Sequence, residues 1–496
     1  MSFDLLETTI DKIHIAYRAG ELTCRQLVEL YLERIEKHDQ DGAKLNAIIA
    51  INPNVFEQAD NLDAMFRTSG FVGPLHGIPV IVKDQVDVTP MATTLGSLLF
   101  KDHYPDSDAF VVEKLRKAGA IILAKATLAE LAAGETHGSL FGSTRNPYDL
   151  ERTSGGSSGG SAVSVTANFC TVAIGQEGYA SICRPSSWNC VVAMRPTTGL
   201  VSRNGAYGGW PLLNGSLGPM ARNVMDLAKL LDVMVGFDPE DPATALGRFP
   251  ENESYGDGLS EDGLRGKRIG VIRESIGQNS EPESDDFLQI DTLFSRAIDD
   301  LAKAGAVVID PVVIPNLKDA LAKRSSSAED DSEAFERFMS RSSNPAFRTR
   351  EEVLNSPDFE LVMARAKAQW RNKPSAEGHY ASLRARESLF ISTMHLMASK
   401  NLDALVIKSV EHQPTSIEDG INPPFVNHKG AHHLATFLAY VPSIIVPMGF
   451  SPQGLPAGIT FIGRPYTEKV MINLAYAFEA GTMHRKPPSL SQFERV

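Results

Sequence analysis

Residues that could do chemistry are concentrated between positions 153 and 198. A dense Gly/Ser loop covers residues 155–161 and contains Ser157. Ser181 follows 24 residues later, at the end of the turn-like segment Glu177-Gly178-Tyr179-Ala180-Ser181. A serine hydroxyl becomes a strong nucleophile only when a base takes its proton. The two serines therefore predict nucleophilic chemistry if the fold brings a base to them.

Lys83 is the best candidate for that base. The 12 histidines are scattered, and none lies beside a G-x-S-x-G motif. Lys83 instead follows the apolar run from Ile78 to Val82. Burial lowers the pKa of a lysine, by up to ~3–5 units when burial is complete, so a buried Lys83 could accept a proton. Taken alone, the position is more typical of a lysine at a strand end that reaches water.

The Gly/Ser loop has three interpretations. A phosphate cradle is excluded, because no G-x-x-x-x-G-K-[ST] or G-x-G-x-x-G motif is present. A flexible linker would have this composition, although apolar segments flank the loop closely. A catalytic loop would use glycine to hold backbone shapes that other residues cannot adopt. The residues of the loop leave the last two interpretations open.

Several motifs together resemble the amidase signature family over nearly the whole chain. They are His76–Asp84 (HGIPVIVKD), the loop at 155–161 (GGSSGGS), Ser181 in G-x-E-x-x-x-S-I, and the segments 218–222 and 454–458. The resemblance implies an α/β fold with a large mixed, twisted β-sheet covered by helices on both sides. It also implies one domain over residues 1–496. The charged, helix-prone region 316–400 is predicted to be a helical insertion on the substrate side.

The resemblance also implies a role for each site residue. Ser181 would be the nucleophile, Ser157 the proton relay after a cis peptide bond from Gly156, and Lys83 the base. Backbone N–H groups of Gly178, Tyr179, Ala180 and Ser181 would bind the oxyanion. No cofactor and no metal are expected.

The turn departs from the family pattern at several positions. Glu177 stands in place of Asp, Tyr179-Ala180 in place of Gly-Gly, and Arg184 lies one place late. Either the turn is reshaped, since positive φ is costly for tyrosine, or the ring forms part of the substrate pocket. Our hypothesis is the second, with Tyr179 biasing the enzyme toward aryl or bulky amides.

The leading functional prediction is an amidase that hydrolyses the C–N bond of a small carboxamide, anilide or related acyl compound. One alternative is the glutaminase component of a tRNA-dependent amidotransferase complex. A second alternative is a non-catalytic binding protein on the same fold. Retention of Lys83, Ser157 and Ser181 together argues against the second alternative.

Composition restricts the partners and the compartment. The chain has 48 basic and 61 acidic residues, a net charge of −13, which argues against non-specific binding to nucleic acid or to membrane surfaces. The N-terminal sequence has no apolar signal-peptide core, and four cysteines without a C-x-x-C pair are expected to be free buried thiols. We predict a cytoplasmic protein that acts on a small molecule. The resemblance leaves a homodimer open.

Helical and strand patterns alternate along the chain, which indicates α/β layers. Predicted helices include one capped by Thr23 with Gln26, one from Asp106 or Ser107 to Lys117, and one over 470–479. Predicted buried strands include 75–82, 120–124 and 443–446. Residues 236–263 are predicted to be a surface connection, and residues 324–331 to be the most loop-like or disordered part.

Overall fold

The buried apolar segments assemble into one mixed sheet of eleven strands. The computed structural model describes residues 3–247 and 254–493. Numbered along the chain, the strands of this sheet are β1 (Ile48–Ile51), β2 (Pro79–Lys83), β3 (Ile121–Ala126), β4 (Val172–Glu177), β5 (Val192–Arg195), β6 (Ser216–Ala221), β7 (Arg268–Ile272), β8 (Val307–Val312), β9 (Ala404–Lys408), β10 (Ser443–Phe450) and β11 (Pro456–Ile462). Their spatial order is β1-β3-β2-β4-β6-β5-β10-β11-β9-β7-β8.

Strand β2 carries the candidate base into the interior of this sheet. It pairs in parallel with β3 on one side and with β4 on the other. All five of its residues are buried, as expected for a strand covered on both faces. The carboxyl ends of β2 and β4 therefore lie side by side, and this is where Lys83 and Glu177 end their strands.

Helices pack against the sheet and bury its apolar side chains. The α-helices of the described residues are α1 (Ile10–Ala19), α2 (Cys24–Ile35), α3 (Val55–Ser69), α4 (Phe110–Lys117), α5 (Gly159–Thr166), α6 (Cys183–Trp188), α7 (Val224–Met234), α8 (Asp285–Lys303), α9 (Leu317–Ala322), α10 (Ala328–Met339), α11 (Arg350–Leu354), α12 (Ala364–Arg371), α13 (Ala376–Ser399), α14 (Ile417–Ile421), α15 (Leu434–Phe437) and α16 (Glu468–Thr482). The predicted α/β fold, a large mixed sheet with helices, is confirmed.

The capping box of α2 forms as predicted, whereas two other predicted boundaries differ from the structure. The capping box is confirmed, because the Thr23 hydroxyl accepts from the Gln26 N–H and the Gln26 side chain accepts from the Thr23 N–H. The predicted cap at Asp106 or Ser107 is wrong, because α4 begins after Ala109 without a side-chain cap. Strand β2 begins at Pro79 rather than Leu75, because turn hydrogen bonds hold the four preceding residues.

The region 316–400 consists largely of helices, α9 to α13. The loop predicted for residues 324–331 is only half correct. Ser327 accepts a hydrogen bond from the Asp330 N–H, which starts α10 at Ala328. The insertion and the single-domain organisation over 1–496 stay predictions. Of the connection predicted over 236–263, residues 248–253 lie outside the described residues.

All four cysteines are buried free thiols, as predicted. Within residues 3–247 and 254–493, none of the helices has the length and apolar character needed to cross a membrane.

Candidate active site

Lys83 lies at the carboxyl end of β2 with its side chain fully buried. Its Nζ donates to the Ser157 Oγ at 2.7 Å and to the Gln176 carbonyl oxygen at 3.3 Å. Burial holds the pKa of Lys83 well below its usual value. The neighbouring Glu177 carboxylate opposes this shift in pKa, and the Arg184 guanidinium reinforces it. Lys83 is therefore buried and does not reach water from the strand end, and its amine is placed to exchange a proton with Ser157.

The Gly/Ser loop is buried and leads directly into α5, so the flexible-linker interpretation is wrong. Its glycines are required by close packing. A Cβ on Gly156 would lie 2.5 Å from the Gly134 carbonyl oxygen, and a Cβ on Gly160 would lie 2.4 Å from the Thr127 carbonyl oxygen. The peptide bond between Gly156 and Ser157 is cis, as the resemblance implied.

A backbone hydrogen bond connects Ser181 to the Gly/Ser loop. Its carbonyl oxygen accepts from the Ser158 N–H at 3.1 Å, and Ser158 Oγ also donates to the Gln176 carbonyl oxygen at 3.2 Å. The Ser181 hydroxyl itself makes no hydrogen bond to a described residue, so a direct bond to the Ser157 hydroxyl is not formed. Catalytic hydrogen bonds are often long in the absence of substrate.

Glu177 fixes the turn that carries Ser181. One carboxylate oxygen accepts from the N–H groups of Ile182 and Cys183, both at 2.7 Å. Burial raises the pKa of this carboxyl, while the two N–H groups and the Arg195 and Lys83 cations lower it. The Glu177 side chain therefore holds the turn through its backbone N–H groups.

The turn accepts Tyr179 and Ala180 without strain. Neither residue has positive φ, so the Gly-Gly of the family pattern is not needed for this backbone. The Tyr179 hydroxyl donates to the Ala431 carbonyl oxygen at 3.1 Å. Its ring meets the edges of His433 at 4.3 Å and His428 at 5.1 Å between centroids. With 9% of its surface exposed, the ring is mostly enclosed by the protein.

The backbone N–H groups of Gly178 to Ser181 are available to a ligand. Among the described residues, no acceptor takes a hydrogen bond from any of these four groups. The carbonyl oxygen of Gly178 instead accepts from the Thr436 hydroxyl at 2.9 Å, which holds the turn. Unpaired N–H groups beside a serine hydroxyl have the composition of an oxyanion hole.

Arg184 ties the loop and the turn together at the bottom of the site. Its guanidinium donates to the carbonyl oxygens of Gly134 at 2.9 Å and Gly156 at 2.5 Å. It forms a fully buried ion pair with Glu135, 3.3 Å between N and O, and contacts His428 Nδ1. Its shift by one position along the sequence therefore leaves it in contact with the carbonyl group that precedes Ser157.

Sequence reasoning missed the residues that complete the wall around Tyr179. Glu135, Arg324 and Arg365 carry no motif and come from segments far apart in sequence. His428 and His433 likewise belong to none of the motifs that carry the family resemblance. No pattern of spacing could have joined them, because the contacts depend on how region 316–440 folds over β4.

Comparisons with known proteins identify the family. The model of the amidase family matches residues 26–472. A probable amidase of Arabidopsis thaliana is 32% identical, over 98% of this chain and 92% of the relative.

The chain belongs to the amidase family.

Other relatives differ in activity. A glutamyl-tRNA(Gln) amidotransferase subunit of Methanosarcina barkeri is 31% identical over 95% of this chain and 97% of its own. Among solved structures, the peptide amidase of Stenotrophomonas maltophilia superposes with a TM-score of 0.86 at 33% identity, covering 99% of this chain and 100% of its own. The family resemblance drawn from the motifs is thus confirmed. The relatives leave the substrate of this amidase open.

Proposed function

We propose that this protein hydrolyses the C–N bond of a small carboxamide, anilide or related acyl compound through an acyl-enzyme on Ser181. The observation that carries the proposal is the 2.7 Å contact between the buried Lys83 amine and the Ser157 hydroxyl. Burying a lysine costs free energy, so a fully buried lysine with a lowered pKa is a candidate for a functional residue. The unpaired N–H groups at the Ser181 turn support the same reaction.

In both halves of the proposed reaction, Ser157 passes a proton between Lys83 and the reacting groups. Ser181 Oγ attacks the amide carbonyl carbon, its proton passes to Ser157, and the Ser157 proton passes to Lys83. The oxyanion is held by N–H groups of Gly178, Tyr179, Ala180 and Ser181. The proton then returns through Ser157 to the leaving nitrogen as the C–N bond breaks. Water cleaves the acyl-enzyme by the reverse relay, without a cofactor.

A glutaminase component of a tRNA-dependent amidotransferase remains the second candidate, because such relatives are nearly as similar as the plant amidase. A component of this kind would need partner chains, whereas the proposed amidase acts alone. We also infer a cytoplasmic protein, with a homodimer as the assembly to test.

Labelling the purified chain with a fluorophosphonate probe tests the proposal. We expect labelling of the wild type and its loss in Ser181→Ala, with a strong reduction in Lys83→Ala. Ser154→Ala is a matched control, because Ser154 is buried beside the loop and its hydroxyl has no partner among the described residues. No labelling of a folded wild type would reject a partner-independent serine hydrolase.

A further inference from the structure

Two arginines of the region 316–400 approach the turn that carries Ser181. The guanidinium carbon of Arg324 lies 4.9 Å from the centroid of the Tyr179 ring. The side chain of Arg365 packs against Gly134, where an added Cβ would lie 2.9 Å from the Arg365 Cγ. Both residues keep exposed surface, but burial lowers the pKa of both guanidinium groups, so their charged ends are partly withdrawn from solvent. The region between these two arginines and the Tyr179 ring is called the recess below.

The recess borders the catalytic loop as well as the turn. The Gly134 carbonyl oxygen accepts from Arg184, which also bonds the Gly156 carbonyl oxygen. Arg365 thus contacts the same segment that packs on the loop holding Ser157. Tyr179 is two residues from Ser181, so the Arg324 guanidinium over the Tyr179 ring lies on the same turn as the proposed nucleophile.

Neither guanidinium is neutralised by a carboxylate. Within the part of the chain that the structure describes, no salt bridge involves Arg324 or Arg365. Asp331 acts on Arg324 only at longer range. Glu135 acts on Arg365, but its carboxylate already pairs with Arg184 and accepts from the His428 N–H at 3.0 Å.

The histidines of the recess add no negative charge and little positive charge. Burial lowers the pKa of His433 to about 3, and the neighbouring arginines act in the same direction. Burial and the same arginines hold the pKa of His428 well below its usual value. Both imidazoles are therefore neutral near pH 7, and the charge of the recess is that of the two guanidinium groups.

We propose that Arg324 and Arg365 form a carboxylate-binding subsite, so that the preferred substrates are amides that carry an acid group near the scissile bond. The inference rests on the proposed function, because it places the subsite beside the acyl-enzyme. Guanidinium groups bind carboxylates through paired, charge-assisted hydrogen bonds. The net charge of −13 gives anions no general attraction to this protein, so the preference would come from this recess.

Tyr179 has a defined part in this subsite. Its hydroxyl bond to Ala431 and its edge contacts with His428 and His433 orient the ring, and Arg324 lies over that ring. A cation over an aromatic face is stabilised by the ring quadrupole. Tyr179 would thus position Arg324 rather than contact the substrate directly, which differs from the bias toward aryl or bulky amides hypothesised from the sequence.

Calorimetric binding to the Ser181→Ala variant tests the subsite without requiring turnover. Succinanilate and butyranilide form a charged and neutral pair with the acid on the acyl side. The pair 4-acetamidobenzoate and acetanilide places the acid on the amine side. We expect at least one pair to show a preference of about tenfold or more for the anion, weakened by salt. Arg324→Gln and Arg365→Gln should each reduce it, and Arg324→Lys should restore part of it.

Arg337→Gln provides the matched control, because Arg337 lies on α10 in an exposed ion pair with Glu333. It should leave the preference unchanged. Any of three results would overturn the subsite. They are equal binding of both members of each pair, no binding of any of the four ligands, and a preference for the anion that persists when Arg324→Gln and Arg365→Gln are combined. A preference for the anion in a protein whose Ser181 resists fluorophosphonate would instead reject the proposed hydrolysis while keeping the subsite.

Discussion

Replacing Lys83 with methionine separates a catalytic lysine from a structural one. Methionine has a similar length and no charge. The Lys83 side chain is fully buried and donates only to Ser157 at 2.7 Å and to the Gln176 carbonyl at 3.3 Å. If Lys83 is the base, Lys83→Met should lower the labelling rate of Ser181 by ~10²–10⁴, the usual contribution of general-base catalysis.

Although Lys83→Met should lower the labelling rate, it should not lower the stability of the folded protein. Two lost hydrogen bonds cost about 0.5–1.5 kcal/mol each, and the Gln176 carbonyl keeps its bond from Ser158. Burial of the amine already costs the wild type about 1.4 kcal/mol for each unit by which the pKa is lowered. The free energy of unfolding of Lys83→Met should therefore equal or exceed that of the wild type near pH 7.

The stability difference between the wild type and Lys83→Met should depend on pH. The folded pKa of Lys83 is lowered, so between that value and about 10.4 the unfolded chain binds one more proton. The stability of the wild type therefore rises with pH through this window, and Lys83→Met lacks that contribution. The advantage of the variant should be larger at pH 7 than at pH 9.

Fluorophosphonate labelling followed by intact-mass spectrometry gives the rate, and urea unfolding at the two pH values gives the stability. A variant that labels within about threefold of the wild type would show that Lys83 is not the base. A loss of more than about 3 kcal/mol would show that the amine is held mainly for structure.

Three further perturbations test the site and its frame. Gly156→Ala should lose labelling and about 1–3 kcal/mol of stability, because its Cβ would lie 2.5 Å from a backbone oxygen. Gly178→Ala, whose Cβ has no neighbour closer than 4.0 Å, is its control and should stay folded. Glu177→Gln weakens two charge-assisted bonds and should cost about 1–3 kcal/mol in urea unfolding. It should also move the acidic limb of the labelling profile to lower pH, because the carboxylate raises the pKa of Lys83; a limb moved to higher pH would contradict this. Thr23→Ala should cost about 0.5–2 kcal/mol in thermal unfolding through the lost helix cap, with labelling unchanged; any loss of labelling would refute a purely local role.

Sequence patterns predicted the elements whose signals are local. Apolar runs marked the buried strands, because burial on both faces demands continuous apolar side chains. The capping box at Thr23 and the family motifs around Ser157 and Ser181 depend on residues close in sequence. Boundaries failed where turns or caps compete, as at Leu75 and at Ala328, since a few hydrogen bonds decide them.

The amino-acid sequence by itself determined the family, the α/β class and the three residues proposed for catalysis. The tertiary structure decided how those residues meet. Lys83 meets Ser157 because β2 and β4 are parallel neighbours and the loop before α5 is hydrogen-bonded to the end of β4. Glu177 holds the Ser181 turn through the N–H groups of Ile182 and Cys183. The tertiary structure also decided that Arg324 lies over the Tyr179 ring. The Lys83–Ser157 contact joins residues 74 positions apart, and the Arg324–Tyr179 contact joins residues farther apart still. Both contacts depend on packing of the whole sheet and its helices, and no local spacing encodes them.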